Sequence, residues 1–234
     1  MFFFKPVRTP FGGIMELYDV MRTTFAARDF SDKPVTDASI RNILENARFA
    51  PSGGNRQGWK VVVIRDEDMK DQLGPLIEPS MRRYVAQVAA GEAPWNTIHA
   101  TKLDDEEIAD AKVPQSMIDR LCHAPVLLMV FVDLSVVASF DSGLDRVGVI
   151  SGASIYPFVW NILLSARNEG LGGTLTTFVG AQEGRLKSLL SVPDEFAFAA
   201  MIPLGQPVKQ LTKLTRKAVH EFAVFEKFDG APLT

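Results

Sequence analysis

SIYPFVWNILLSARNEGLGGTLTT, residues 154–177, decides how the rest of the chain is read. Its first half is apolar on nearly every side of a helical projection, whereas a surface helix keeps a polar face. The spacing therefore predicts a long helix over 148–168 at the centre of the domain. Gly170, Gly172 and Gly173 end it, because glycine accepts the left-handed backbone of a helix C-terminus and allows tight entry into a strand. Beyond them the pattern predicts a strand at about 173–179, a short helix at about 182–190, and a strand over 196–204 that stops at Gly205-Gln206-Pro207.

Upstream, PVLLMVFVD (residues 125–133) and WKVVVI (residues 59–64) are short apolar, β-branched runs of the kind that form buried strands. Ile40, Ile43, Leu44, Ala47 and Ala50 share one helical face, with Asp37 in the first turn and Pro51 as the stop. Ser52-Gly53-Gly54-Asn55 must then be a loop. Ile14, Leu17, Tyr18 and Met21 predict an amphipathic helix over 14–22, and residues 66–73 predict a short helix closed by Gly74. From 75 to 114 the hydrophobic pattern is irregular and broken by prolines, as expected of an inserted, lid-like segment. No repeat or linker interrupts the chain. It is read as one α+β domain over 1–234, a central sheet flanked by helices. The tail HEFAVFEKF (residues 220–228) mixes apolar and charged residues and needs an external surface, which points to a partner subunit.

Composition removes several function classes. Across 234 residues, 47% apolar, the formal net charge is −3, so there is no basic surplus to draw the chain to nucleic acid. Cys122 is the sole cysteine, which excludes a disulfide, a CxxC pair and a thiolate cluster. It is expected to be a small buried apolar residue. His99, His123 and His220 lack metal-ligand spacing, and the acidic run 104–107 suits a solvated helix start rather than a calcium loop. No apolar run approaches the roughly 20 residues that span a bilayer. The opening MFFFKPVRTPFGG has no signal-peptide core, so a cytoplasmic location is expected. G-x-S-x-G, Walker and strand-associated GxGxxG motifs are all missing. Redox chemistry, if present, would rest on an organic cofactor.

Four segments, in order, carry a resemblance: MRTTFAARDFSDKPV (21–35), APSGGNRQGW (50–59), the helix and turn 154–177, and PLGQP (203–207) with Arg216-Lys217 downstream. Together they resemble the nitroreductase-like family of FMN-dependent NAD(P)H oxidoreductases. The resemblance implies a central, mainly antiparallel sheet and an intertwined homodimer with two shared flavin sites. Arg22, Thr24, Thr176 and Arg216 would come from one subunit, and the loop Pro51, Ser52, Gly53, Asn55 from the other. Thr176 and Thr177 would lie by flavin N5. The residues suit such a ligand. Arg22 and Arg216 offer planar forks of donors to a phosphate, with hydroxyls of Thr23 and Thr24 nearby. Asn55 and Gln57 bring uncharged amides to a neutral ring. With no dinucleotide fingerprint, FMN rather than FAD is expected.

The activity implied is hydride transfer from NAD(P)H through flavin N5 to a nitroaromatic, quinone or related small-molecule acceptor. A reductive dehalogenase, a flavin-cleaving relative, or a flavin-binding or storage protein without useful turnover are the alternatives. The chain departs from the family's pattern in two places. Gly58 stands where the family often has proline, and Phe25 where a basic residue would be unsurprising. Two extra residues before Phe30 leave Arg28 a second-rank candidate, and Lys217 an open one.

Overall fold

The computed structural model describes residues 15–234; the opening 1–13 and Ile14 of the first expected helix lie outside the described residues. Among the described residues the sheet has four strands, β1 (Trp59–Ile64), β2 (Val126–Asp133), β3 (Gly172–Gly173) and β4 (Phe196–Gly205), in the order β1-β2-β4-β3. These strands pair antiparallel with one another, with Val61 opposite Val130, Val130 opposite Ala200, and a register shift after Val130.

β2 is central, and its alternation supplies both halves of the core. Val126, Leu128, Val130 and Val132 face α2 (Asp37–Ala47) and α7 (Tyr156–Asn168). Leu127, Met129 and Phe131 face the opposite cluster, built with α4 (Gly74–Ala89), α6 (Gln115–Cys122) and α8 (Glu183–Leu190). Side chains in a strand point alternately to its two faces, so one strand can feed two layers. β1 is an edge strand rather than the fully buried one expected: only Ile64 is buried and Val63 is 42% exposed.

α2 begins at Thr36, whose hydroxyl accepts the Ser39 amide, and buries Ile40, Ile43 and Ala47. α7 starts at Tyr156 and not at 148, which corrects the sequence reading. The amides of Val149 and Ile150 donate to the Asp141 carboxylate instead of a helical carbonyl, and Pro157 has no N–H, so it fits only in a first turn. At the other end Gly170 takes φ 74 and Leu171 N–H reaches back to the Ala166 carbonyl at 2.8 Å, a glycine C-cap. The strand expected at 173–179 reduces to β3 and a bridge between Thr176 and Met201. In that same register Thr174 falls opposite Pro203, and proline has no N–H with which to close the pair. Residues 178–182 turn instead into a 3₁₀ helix.

Gly74 does not close a helix. It follows α3 (Glu67–Asp71) and opens α4, with Pro75 in the first turn and Leu76, Ile77 and Met81 buried. Proline obscured a helical period that packing restores. α5 (Asp105–Asp110) is the acidic run, started by a reciprocal cap between Asp104 and Glu107. In α1 (Leu17–Thr23) only Val20 is buried, while Leu17 and Tyr18 are 63% and 68% exposed. The tail folds on itself through Phe225 N–H to the Ala231 carbonyl, leaving Phe222 and Phe228 exposed. No described helix is long and apolar enough to cross a membrane.

The turn before α7 depends on Asp141, a buried carboxylate that accepts from Val149 and Ile150 amides, Arg146 and Ser139. The Val149 N–H above all, with Arg146 and the other donors, holds its carboxyl well below the usual carboxylate range. A depressed folded value means that the stabilisation is complete above the ordinary aspartate range and is lost only as pH falls through the folded value. Asp141→Ala should therefore speed hydrogen exchange at the Val149 and Ile150 amides about tenfold or more at neutral pH, since both donors lose their buried acceptor. Unchanged exchange would mean that the turn stands without this carboxylate.

Candidate functional site

Arg22 lies in the last turn of α1 with its guanidinium 5.8 Å from the centre of the Tyr18 ring. Arg216 lies in the extended segment after β4 and donates to the Thr215 carbonyl at 2.7 Å. The two line one cleft of about 680 Å³ with Lys213, Thr212 and Thr215, and among the described residues no acidic side chain lines it. Gln210 fastens this segment to α1 through the Thr23 carbonyl at 2.9 Å. The Thr23 hydroxyl donates to the Asp19 carbonyl and accepts from Arg167 Nε, and the buried Thr24 hydroxyl donates to the Val20 carbonyl. Both hydroxyl protons are thus engaged within α1, and these side chains have only lone pairs left to present.

A second cleft, about 500 Å³, adjoins the first through Arg216 and is lined by Thr24, Phe25, Arg28, Tyr156, Trp160 and Leu175, among others. Tyr156, Trp160 and Leu163 fall at helical spacing on α7; Leu163 is buried in the core, while Tyr156 and Trp160 are 44% and 45% exposed. Trp160 sits within the apolar run that predicts the central helix. The signal available was that α7 has more apolar faces than one sheet can bury. Phe25, noted only as a departure, is a wall of the same cleft.

Thr176 and Thr177 line a third cleft, of about 420 Å³, with Arg28, Tyr84, Met117 and Arg120. The Thr176 amide and carbonyl both bond to Met201 at 2.9 Å, so its backbone is engaged by the sheet. The Thr177 amide has no acceptor among the described residues. Successive groups of an extended chain point opposite ways, which turns this N–H away from β4. Arg28 lines both this cleft and the one containing Arg216, and its Nη1 donates only to the Ala26 carbonyl, at 3.3 Å. The two extra residues before Phe30 thus leave it at the junction of the two clefts.

The Pro51–Gln57 loop is elsewhere and lines none of these clefts. Gly54, Asn55 and Gln57 hold φ of 61, 53 and 51. Left-handed backbone is uncommon for Asn and rarer for Gln, so the surroundings must enforce it. Ser52 does so by accepting the Gln57 amide on its hydroxyl at 2.9 Å and the Asn55 amide on its carbonyl at 2.8 Å. Gly53 N–H bonds the Ser154 hydroxyl at 3.1 Å, tying the loop to the turn before α7. Gly58 is also explained: a Cβ there would sit 2.6 Å from Val136 Cγ2. The glycines of β3 serve the fold too, since a Cβ on Gly173 would meet the Pro203 carbonyl at 2.6 Å. Lys217 lines none of these clefts. Cys122 is buried in α6, and burial pushes its thiol up to about 12, so almost no thiolate exists at neutral pH.

The chain is 26% identical over 215 residues to the iodotyrosine deiodinase of Nematostella vectensis, covering 90% of this chain and 75% of that protein. It is 26% identical over 230 residues to the nitrobenzene nitroreductase of Ectopseudomonas oleovorans, covering 88% and 95%. Its fold matches the crystal structure of oxidised iodotyrosine deiodinase bound to FMN and 3-iodo-L-tyrosine, with a TM-score of 0.64, 22% identity and coverage of 91% and 100%. A family model described as the Nitroreductase family matches residues 21–206. One match thus runs from the end of α1 through the Ser52 loop, α7 and its glycine turn to the end of β4, and the chain belongs to the Nitroreductase family.

Proposed function

We propose that this protein is an FMN-dependent oxidoreductase that passes a hydride from NAD(P)H to a nitroaromatic, quinone or related acceptor. The observation that carries the reading is the junction at Arg28: a cationic cleft with Arg22 and Arg216 leads past Arg28 to a cleft beside the unpartnered Thr177 amide. The donor set fits FMN, with arginines for a phosphate, aromatic and aliphatic walls for a flat ring, and a free backbone N–H at its edge. Bound FMN supplies hydride transfer at N5, and the chain supplies position and electrostatics.

In this reading Arg22, Arg216 and Lys213 hold the phosphate. Phe25, Tyr156 and Trp160 exclude water from the ring. Thr177 donates its amide toward N5, with Thr176 anchoring that segment to β4. Arg28, at the junction of the two clefts, would hold a positive charge beside the bound ring and so favour its more electron-rich form. The loop Pro51, Ser52, Gly53, Asn55 and Gln57 completes the site from a second copy of the chain. The uncovered Leu17, Tyr18, Phe222 and Phe228 support such a dimer. The segment 75–114 covers the acceptor side, where its Tyr84 lies beside Thr177.

Similarity to iodotyrosine deiodinases favours a second reading, reductive dehalogenation, in which two electrons and a proton replace an aryl–halogen bond with aryl–H and release halide. Anaerobic stopped-flow mixing with NADH or NADPH should bleach the flavin. Faster reoxidation by nitrobenzene or benzoquinone than by 3-iodotyrosine supports the first reading. Stoichiometric iodide release with slow nitroaromatic turnover would replace it by the second, and a flavin that neither nicotinamide bleaches would defeat the proposed electron donor.

A further inference from the structure

Between α4 and α5 a buried amide ties down the turn that carries Trp95. Gln87, 2% exposed, accepts the Trp95 backbone N–H on Oε1 at 3.1 Å and donates Nε2 to Glu92 Oε2 at 3.1 Å. Glu92 also accepts the Thr101 hydroxyl at 2.6 Å and the Lys102 amide at 2.8 Å, closing the far side of the turn. The Thr101 hydroxyl, then the Lys102 amide and Gln87, hold the Glu92 carboxyl below its ordinary range, so the clamp is fully charged at neutral pH.

The clamp keeps Trp95 at φ 53, a left-handed backbone that bulky residues rarely adopt and that persists only where surroundings impose it. The indole is fixed as well. Its Nε1 donates to the Ser80 carbonyl at 3.3 Å, and the Arg83 guanidinium lies 4.4 Å from its ring centre.

Trp95 lines a cleft of about 420 Å³ with Ser80, Tyr84, Thr177 and Phe178. Tyr84 and Phe178 meet edge to face at 5.5 Å, and among the described residues no charged side chain lines the cleft. Ser80 is 3% exposed and its hydroxyl oxygen is buried without a hydrogen-bond partner. Such a group is costly unless something supplies the missing partner.

We propose that Trp95, held by the Gln87–Glu92 clamp, is the acceptor-side wall of this cleft, and that the cleft selects neutral, planar aromatic acceptors bearing a hydrogen-bonding substituent read by Ser80. The inference rests on the oxidoreductase reading for its term acceptor. Three aromatic side chains offer flat apolar area, the lack of charge penalises an ionised ligand, and the Ser80 hydroxyl can give or take one hydrogen bond. Gln87 and Glu92 are positioning residues that act through Trp95.

Isothermal titration of the oxidised, FMN-loaded protein with 4-nitrotoluene and 4-nitrobenzyl alcohol separates these roles without turnover. Wild type should bind the alcohol about three- to tenfold more tightly, the worth of one neutral hydrogen bond. Ser80→Ala should abolish that difference and leave 4-nitrotoluene unaffected. Trp95→Asn, chosen because asparagine tolerates the left-handed backbone, should weaken both about tenfold, and Trp95→Phe should restore most of the loss. Gln87→Leu should weaken both while flavin content stays constant and the Trp95 amide exchanges faster. Wild-type affinities in Trp95→Asn, a preference for the alcohol that survives Ser80→Ala, or tighter binding of 4-nitrobenzoate than of the alcohol would each overturn the proposal. Failure of NAD(P)H to bleach the flavin with this binding pattern intact would strike the oxidoreductase reading and uphold the binding site.

Discussion

Arg216→Ala protein should purify with little flavin, its FMN affinity reduced by on the order of 1.5–3 kcal/mol, the scale of a hydrogen bond to a charged group. At about 1.4 kcal/mol per tenfold, that is roughly a 10- to 100-fold rise in Kd. Arg216 is the side chain common to the cationic cleft and the aromatic-walled cleft beyond it, so its loss removes charge from both. Among the described residues its guanidinium bonds only the neighbouring Thr215 carbonyl, and no carboxylate among them would be stranded by the change. A fall in affinity would therefore report the ligand and not a damaged fold. Arg216→Lys should recover part of the binding, because an ammonium keeps the charge and loses the planar fork. The ratio of flavin to protein absorbance, together with calorimetric titration of the stripped protein with FMN, reads the effect. Wild-type affinity in the alanine variant would return Arg216 to the surface and remove the phosphate assignment.

The second large effect is complementation between subunits. Within one chain the Ser52 loop is exposed and stands apart from the clefts lined by Arg22, Arg28 and Arg216. If a second copy supplies that loop, Arg216→Ala and Asn55→Ala damage opposite sides of the same site. A mixed dimer then has one site with both defects and one with neither, so about half the flavin occupancy should return although each parent alone binds poorly. The interface required is an obligate one, burying more than about 2,000 Å² of largely apolar surface. Leu17, Tyr18, Trp160, Phe222 and Phe228 are the exposed apolar side chains it would cover. Differentially tagged subunits, exchanged and purified as the mixed species, give the measurement. Verified mixed dimers without recovered flavin, or a flavin-loaded monomer in sedimentation, would refute the shared site.

The residues themselves determine much of this protein. Alternation in β2 and the helical period of α2 depend on neighbours a few positions away, so both are legible from the chain. The same is true of the acidic cap at Asp104 and the glycine stop at Gly170, where the residue type meets a local backbone demand. The four segments 21–35, 50–59, 154–177 and 203–207 carried a resemblance to the family, which the family model matching residues 21–206 bears out. Tertiary structure decided what depends on distant partners. α7 starts late because Asp141 takes the amides that would have extended it. The strand after Gly173 stops short because its register sets Thr174 against Pro203. Thr177, not Thr176, keeps a free amide because Met201 claims its neighbour's. Arg28 and Phe25 come to line clefts, and Thr23 and Thr24 lose their donors to α1, for the same reason: a hydrogen bond or a cleft joins atoms that are close in space, and sequence spacing reports only those close along the chain.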